Sequence, residues 1–231
     1  MRLAIKPQPD DTTCGPTSLH AVYKHYDHKI PLQQLINEVS FLDDGGTLAV
    51  YLGIDALKRG FKATVYSYNL RIFDPSWTNL SPVDLIEKLQ NQLDLKHGKK
   101  FTEASNAYLS FLKLGGSLAF EMLTPALLKR YLKKGTPLLC GLSATYLYQS
   151  KREYTKKNNK SVYDDLKGEP MGHFIVLYGV TREDHVKVAD PYNNNPLSGN
   201  HYYEVDIQRL INAVHLGIVT YDANLLVVQP S

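Results

Sequence analysis

The chain has 231 residues, of which 43% are hydrophobic and 21% are charged, and its formal net charge at pH 7 is +3. This composition is that of a globular protein and excludes a disordered, fibrous or membrane-embedded chain. A chain of this length buries roughly 70% of the surface that its unfolded form exposes, so its core requires neither a metal ion nor a disulfide. The net charge is too small to indicate nucleic-acid binding.

Apolar stretches, cysteines and basic clusters limit the kind of protein further. No apolar stretch is long enough to span a membrane and residues 1–6 contain no apolar signal core, which predicts a cytoplasmic protein. The two cysteines, Cys14 and Cys140, lie in different contexts, so a disulfide between them is not expected. We interpret two basic clusters as solvated loops, with an anionic partner as the less favoured alternative. These clusters are Lys96, Lys99 and Lys100, and then Lys151, Arg152, Lys156, Lys157 and Lys160.

Hydrophobic spacing and breaker residues predict the elements in chain order. Helices are expected over residues 14–26, 31–39, 47–59, 81–95, 101–114, 124–134 and 206–214. Strands are expected over residues 61–68, 137–142, 174–180, 185–189, 202–205 and 225–228. Capping oxygens are assigned to residues 10–13 for the first helix, and to Thr47, Ser81, Thr124 and Asp206 for later ones. Helices come first and an antiparallel sheet follows, which predicts an α+β fold.

Cys14 is the candidate nucleophile. It lies at the predicted start of a helix, where the positive end of the helix dipole stabilises a thiolate, the form of cysteine that attacks a carbonyl. Its backbone N–H has no partner within the helix and is able to donate to an oxyanion. Gly15 is expected to leave space beside the sulfur for a substrate. Gln8, on the loop that leads into the helix, is the candidate for a second oxyanion donor.

A cysteine nucleophile needs a base, and the base needs a group that orients it. His173 begins one predicted apolar strand, and Asp190 ends the next strand. A short turn at residues 181–184 joins the two strands, and in such a hairpin the start of one strand lies beside the end of the other. We therefore predict that His173 and Asp190 are neighbours, with His173 as general base and Asp190 as the residue that orients it.

Taken alone, each of these residues has an ordinary structural interpretation. A cysteine that opens a helix is more often inert, a histidine at a strand start is more often structural, and aspartate before proline is a common turn signal. Their joint occurrence in one chain favours catalysis. Cys140, within an apolar strand, is predicted to be a buried structural residue.

Other candidate sites are weaker. His20, His25 and His28 do not share one helix face, and no carboxylate or cysteine completes a zinc set, so no metal site is predicted. Ser18 and Ser143 lack the glycine elbow of a serine nucleophile. Four tyrosines in the predicted loop at residues 146–170 are expected to pack in the fold, with a peptide-binding groove as the alternative. They are Tyr146, Tyr148, Tyr154 and Tyr163.

The candidate residues also carry a resemblance to a known family. The segment QPDDTTCGPTSL is similar to the nucleophile motif of the double-glycine leader peptidases that process bacteriocin precursors, peptidase family C thirty-nine. The segments GHFIVLYGV and VKVADPY are similar to the histidine and aspartate blocks of that family. The resemblance implies a papain-like fold. It also implies that Gln8 is the oxyanion-hole side chain, Cys14 the nucleophile, His173 the base and Asp190 its partner.

The resemblance implies a cysteine peptidase that hydrolyses peptide bonds through a thioester acyl-enzyme, acts on a peptide or protein, and uses no cofactor or metal. The usual members lie at the front of an ATP-driven peptide exporter, whereas this chain has no membrane span and no nucleotide-binding motif. We therefore predict a stand-alone relative, with one papain-like domain over residues 1–231 and insertions near 69–115 and 146–170. Two alternatives are another acyl-transfer enzyme, such as an amidase or a transglutaminase-like protein, and a catalytically silent peptide-binding module.

Overall fold

The computed structural model describes residues 3–43, 45–155 and 161–231. The helices in these ranges are α1 (Cys14–His25), α2 (Leu32–Glu38), α3 (Ala49–Lys58), α4 (Pro82–Leu95), α5 (Lys99–Lys113), α6 (Pro125–Leu132), α7 (Ala144–Tyr148) and α8 (Ile207–Leu216). The strands are β1 (Phe61–Ser67), β2 (Ser117–Ala119), β3 (Leu138–Ser143), β4 (Glu153–Thr155), β5 (Ser161–Tyr163), β6 (Gly172–Val180), β7 (His185–Ala189), β8 (Tyr202–Asp206) and β9 (Asn224–Pro230). Short 3-10 helices lie at Pro75–Trp77 and Gly217–Thr220.

Seven of these strands form one sheet in the order β2-β1-β9-β3-β6-β7-β8. β1 and β2 pair in parallel, and the other neighbours pair antiparallel. The predicted α+β class is confirmed. The expectation of a purely antiparallel sheet is wrong, because the three-residue strand β2 is too short to show an alternating pattern and joins the sheet in parallel.

β6 lies in the interior of this sheet and is covered on both faces. Phe174 and Val176 point to the core that contains α1, α3 and α5, whereas Ile175 and Leu177 point to the core that contains α6 and α8. All four side chains are buried. This double coverage explains why β6 reads as an unbroken apolar run rather than an alternating one.

A buried hydrogen bond fixes α1 against β6. The hydroxyl group of Ser18, one turn beyond Cys14, donates a hydrogen bond to the carbonyl oxygen of Phe174 over 3.1 Å. Because Phe174 directly follows His173, this bond brings the start of α1 to the start of β6. Gly15 differs from expectation, since it is buried and a Cβ at this position would lie 2.3 Å from Thr47 Cγ2. Its glycine is required for close packing of the helix start against Thr47.

We expect Gly15→Ala to lower the free energy of unfolding by about 1–3 kcal/mol, because the added methyl group overpacks the contact with Thr47. Adding Thr47→Ser removes Cγ2 but keeps the hydroxyl that donates to the Ser40 carbonyl oxygen over 2.8 Å. Urea unfolding of the two single variants and the double variant measures the effect. If the double variant is no more stable than the sum of the single changes predicts, the Cγ2 contact does not explain this glycine.

Three of the predicted caps are confirmed and two are wrong. Oxygens of Ser81, Thr124 and Asp206 accept hydrogen bonds from backbone N–H groups in the first turns of α4, α6 and α8. Thr47 does not cap α3, because its hydroxyl donates to Ser40 instead and α3 begins two residues later. No side chain caps α1, since Asp10 Oδ1 bonds within its own turn.

Two predicted loops contain regular structure. Within 146–170, the end of α7 is followed by β4, which pairs with β5. These elements have three to five residues each and are too short for a periodic signal.

The first basic cluster lies partly in a helix rather than in a loop. Lys99 and Lys100 belong to α5, and Lys99 Nζ lies 2.8 Å from Asp43 Oδ2. The predicted cluster members Lys156, Lys157 and Lys160 lie outside the described residues.

The predicted insertion at 69–115 supplies α4 and α5, and α5 packs against α3 with Phe111 fully buried. In the described ranges, none of the helices has the combination of length and apolarity that crossing a bilayer requires.

Candidate active site

Cys14 is the first residue of α1 and is partly exposed on a cleft of about 490 Å³ that His173 also lines. The first intrahelical bond of this turn runs from Thr17 N–H to the Thr13 carbonyl oxygen, over 3.1 Å. Because Pro16 has no N–H, the backbone donors at this end of the helix are those of Cys14 and Gly15. The thiol therefore lies at the positive end of the helix dipole, beside N–H groups suited to an oxyanion.

His173 and Asp190 are in direct contact, as the hairpin register predicted. His173 Nε2 lies 2.8 Å from Asp190 Oδ1. Val176 pairs with Ala189, so Asp190 is one step beyond this pair and His173 reaches it diagonally on the same sheet face. The remaining ring nitrogen, Nδ1, is left for Cys14, which lines the same cleft as His173. Their catalytic roles stay predictions.

The Asp190 carboxylate is fully buried and accepts four hydrogen bonds. Besides His173, Oδ1 accepts from the Tyr192 backbone N–H over 2.9 Å. Oδ2 accepts from the hydroxyl groups of Tyr148, over 2.8 Å, and Tyr203, over 2.7 Å. These donors replace the water that the buried carboxylate has lost.

The electrostatics favour a charged pair. Burial alone lowers the pKa of His173, but the charge of Asp190, the hydrogen bond to Asp190 and the nearby Cys14 side chain outweigh it, so the pKa is raised above its ordinary value. Burial raises the pKa of Asp190, but the nearby His173 and the hydroxyls of Tyr203 and Tyr148 outweigh it, so this pKa is lowered. An imidazolium is therefore stabilised in the cleft that Cys14 also lines.

The contacts of Tyr148 and Tyr203 with Asp190 were not predicted from the sequence. Burial and the charge of Asp190 raise the pKa of both hydroxyls well above the ordinary value, so both remain proton donors. The alternation of side chains along a strand is the signal that could have identified Tyr203. Val188 pairs with Tyr203, and residues two apart on a strand share a face, so Tyr203 lies diagonally beside Asp190. Tyr148 lies on α7, inside a segment predicted to be a loop.

We expect Tyr203→Phe to lower the free energy of unfolding by about 1–3 kcal/mol at pH 7, because a buried carboxylate loses a donor. The lowered pKa of Asp190 stabilises the fold above the unfolded value of about 3.9 and this contribution is lost as the pH falls. The difference in the free energy of unfolding between the original protein and Tyr203→Phe should therefore become smaller towards pH 3 in urea unfolding experiments. Tyr146→Phe, at an exposed tyrosine of α7, is the control. A deficit that is the same at both pH values would contradict this role.

Gln8 lies at the edge of the same site. Its backbone N–H donates to the Pro191 carbonyl oxygen over 3.0 Å, which ties the loop before α1 to the residue after Asp190. Its side chain lines a second pocket, of about 380 Å³, which shares Asp11 and His173 with the cleft at Cys14. Gln8 Nε2 donates to the Asp10 carbonyl oxygen over 2.9 Å. An amide nitrogen carries two hydrogens, so the second remains able to donate to an oxyanion.

The other candidate residues named from the sequence lie in surroundings typical of residues with a structural role. Cys140 is fully buried in β3 and burial raises the pKa of its thiol, so it is the buried residue that its apolar context predicted. His20 Nε2 lies 3.1 Å from the Ile30 carbonyl oxygen. Of the four tyrosines considered for a groove, Tyr148 and Tyr163 line the cleft beside Gln8.

A cysteine at a helix start, facing a buried histidine–aspartate pair on a sheet, defines an α+β protein with the elements of a Cys-His-Asp site. The sequence model of the Peptidase_C39 like family matches residues 2–215, and the chain belongs to this family. The resemblance found in the sequence motifs is thereby confirmed.

Two solved structures are similar over the whole chain. The first is the peptidase domain of Streptococcus ComA, a bi-functional ABC transporter involved in a quorum sensing pathway, with 14% identity, a TM-score of 0.47 and coverage of 100% of both chains. The second is a double glycine motif protease from an AMS/PCAT transporter in complex with the leader peptide. It has 14% identity, a TM-score of 0.46, and coverage of 100% of this chain and 93% of that chain. The search of curated proteins found no match.

Proposed function

We propose that this protein is a cysteine peptidase that hydrolyses peptide bonds through a thioester acyl-enzyme. The observation that carries the proposal is the buried His173–Asp190 pair, with Nε2 and Oδ1 2.8 Å apart, in the wall of the cleft on which Cys14 is partly exposed. A histidine with only a structural role would need neither a carboxylate that accepts four hydrogen bonds nor a thiol at the start of a helix. Membership of a peptidase family supports the same chemistry.

Acylation joins the substrate to Cys14. The Cys14 thiolate attacks the carbonyl carbon of the scissile bond, forming a C–S bond and an oxyanion. The backbone N–H of Cys14 and the free Nε2 hydrogen of Gln8 donate to this oxyanion. The tetrahedral intermediate then collapses, the C–N bond breaks, and the proton on His173 Nδ1 passes to the leaving amine.

Deacylation uses the same residues in reverse. Neutral His173 takes a proton from water as the water oxygen attacks the thioester carbonyl. The C–S bond breaks, the carboxylic acid leaves, and Cys14 returns as a thiolate beside the imidazolium. Asp190 holds the imidazole by Nε2 throughout, which keeps Nδ1 directed at the sulfur.

Peptides from a cell lysate, incubated with the protein in H₂¹⁸O with and without added glycinamide, test the proposal by mass spectrometry. We expect new C-termini that carry one ¹⁸O atom, absent with Cys14→Ala protein. Glycinamide adducts as the main product would show an acyltransferase instead. No new C-termini and no adducts, with peptide retained on the protein, would show a silent binding module.

A further inference from the structure

Asp222 is a buried carboxyl group in the wall of the cleft that contains Cys14. Its exposed fraction is 7%, and it lines the cleft together with Cys14 and His173. Its Oδ2 accepts a hydrogen bond from Thr220 Oγ1 over 2.7 Å. A Cβ on Gly172 would lie 2.0 Å from this Oδ2, so the glycine that precedes His173 leaves the space that the carboxyl group occupies.

This carboxyl group has no ion-pair partner among the residues that the structure describes. No lysine, arginine or histidine nitrogen of these residues lies within 4.0 Å of it. Lys100 lines the same cleft, with its Nζ 5.2 Å from the centroid of the Tyr221 ring. A carboxylate that is buried without a cation is unfavourable, and a cationic ligand in the cleft would remove that penalty.

Two further carboxyl groups lie along the same surface as Asp222. Asp11 lines the cleft beside Cys14, and also lines its continuation past His173, together with Glu153. Burial and then the charge of Asp11 raise the pKa of Glu153, so the two carboxyl groups act on each other. A peptide bound in this cleft therefore lies near two carboxyl groups, those of Asp11 and Asp222.

We propose that Asp222 binds the side chain of a lysine or arginine of the substrate, close to the scissile bond. This inference rests on the proposed function in one respect, that the cleft at Cys14 is where the peptide lies. A side-chain ammonium or guanidinium group supplies the cation that Asp222 lacks, and its aliphatic stem suits the apolar part of the cleft wall, such as Leu42 and Phe174.

The ionisation of Asp222 adds a pH signature. Burial raises the pKa of Asp222 to about 7, and it does so against the opposing effects of the Thr220 hydroxyl and the charges of Lys100 and His173. Tyr108 on α5 is a further titratable group that the charge of Asp222 affects. The carboxylate fraction therefore rises from about a tenth at pH 6 to about nine tenths at pH 8.

The test measures binding rather than turnover, so it is independent of the proposed reaction. Blocked pentapeptides of glycine, with lysine, arginine, glutamine or norleucine at the centre, are titrated into Cys14→Ala protein by calorimetry. We expect lysine and arginine peptides to bind about tenfold more tightly than the glutamine peptide at pH 8, and within about twofold of it at pH 6.

The same titrations with Asp222→Asn added should give equal affinities for the lysine and glutamine peptides at both pH values. Asp94→Asn, at an exposed aspartate of α4, is the matched control and should keep the preference. No detectable binding, equal affinities in Cys14→Ala protein, or a preference that survives Asp222→Asn would overturn the proposal. The pH comparison uses an unaltered Asp222, so it stays decisive if the asparagine variant folds poorly.

Discussion

Cys14→Ala is expected to reduce the rate of peptide hydrolysis by at least about 10³-fold, because the group that forms the acyl-enzyme is removed. The free energy of unfolding should stay within about 1 kcal/mol of the original value. The Cys14 side chain is partly exposed on the cleft, so little packing is lost. Kinetics with a peptide identified from the lysate profile, together with urea unfolding, measure both quantities.

The second cysteine provides a matched control. Cys140→Ala should leave the rate within about twofold, and should lower the free energy of unfolding by about 1–2 kcal/mol because this thiol is fully buried in the core. A rate above a tenth of the original in the Cys14→Ala protein would contradict the assignment of the nucleophile.

His173→Ala is expected to reduce hydrolysis by a similar factor and also to lower the free energy of unfolding by about 3 kcal/mol. The larger loss of stability arises because Asp190 remains buried with its charge unpaired. Adding Asp190→Asn removes that charge, so the double variant should recover part of the stability and none of the activity.

The deficit of the His173→Ala variant should depend on pH. The lowered pKa of Asp190 stabilises the fold above about pH 3.9, and this contribution is lost as the pH falls. The raised pKa of His173 stabilises the fold below about pH 6.5, and this contribution is lost as the pH rises. Urea unfolding should therefore show the largest deficit near pH 5.5 and smaller ones at pH 3 and pH 9. A deficit that is constant over this range would mean that the pair is not ionised.

The contact between His173 and Asp190 could be predicted because it depends on local rules. A short turn joins two adjacent strands, so their register places the start of β6 beside the end of β7. The position of Cys14 at a helix start followed from the apolar spacing of the residues after it. The absence of a side-chain cap on α1 could not be predicted from the sequence. The hydroxyl and carboxylate groups before α1 form hydrogen bonds within their own turn instead of with the helix.

The remaining parts of the site depend on contacts between distant segments. Tyr148 reaches Asp190 from a five-residue helix 42 positions earlier, and a helix so short carries no periodic signal. Asp222 reaches the cleft because the segment before β9 packs against Gly141 and Gly172, where each glycine leaves room for it. In the sequence these glycines are indistinguishable from those that end a helix or a turn.

We propose that Cys14 and His173 act as one unit, and the rate at which iodoacetamide alkylates Cys14 measures whether His173 activates the thiol. In Cys140→Ala protein the single remaining thiol can be followed by mass spectrometry. We expect alkylation at pH 7 to be at least about tenfold faster in this protein than in the same protein with His173→Ala added. Equal alkylation rates in the two proteins would mean that His173 does not activate Cys14.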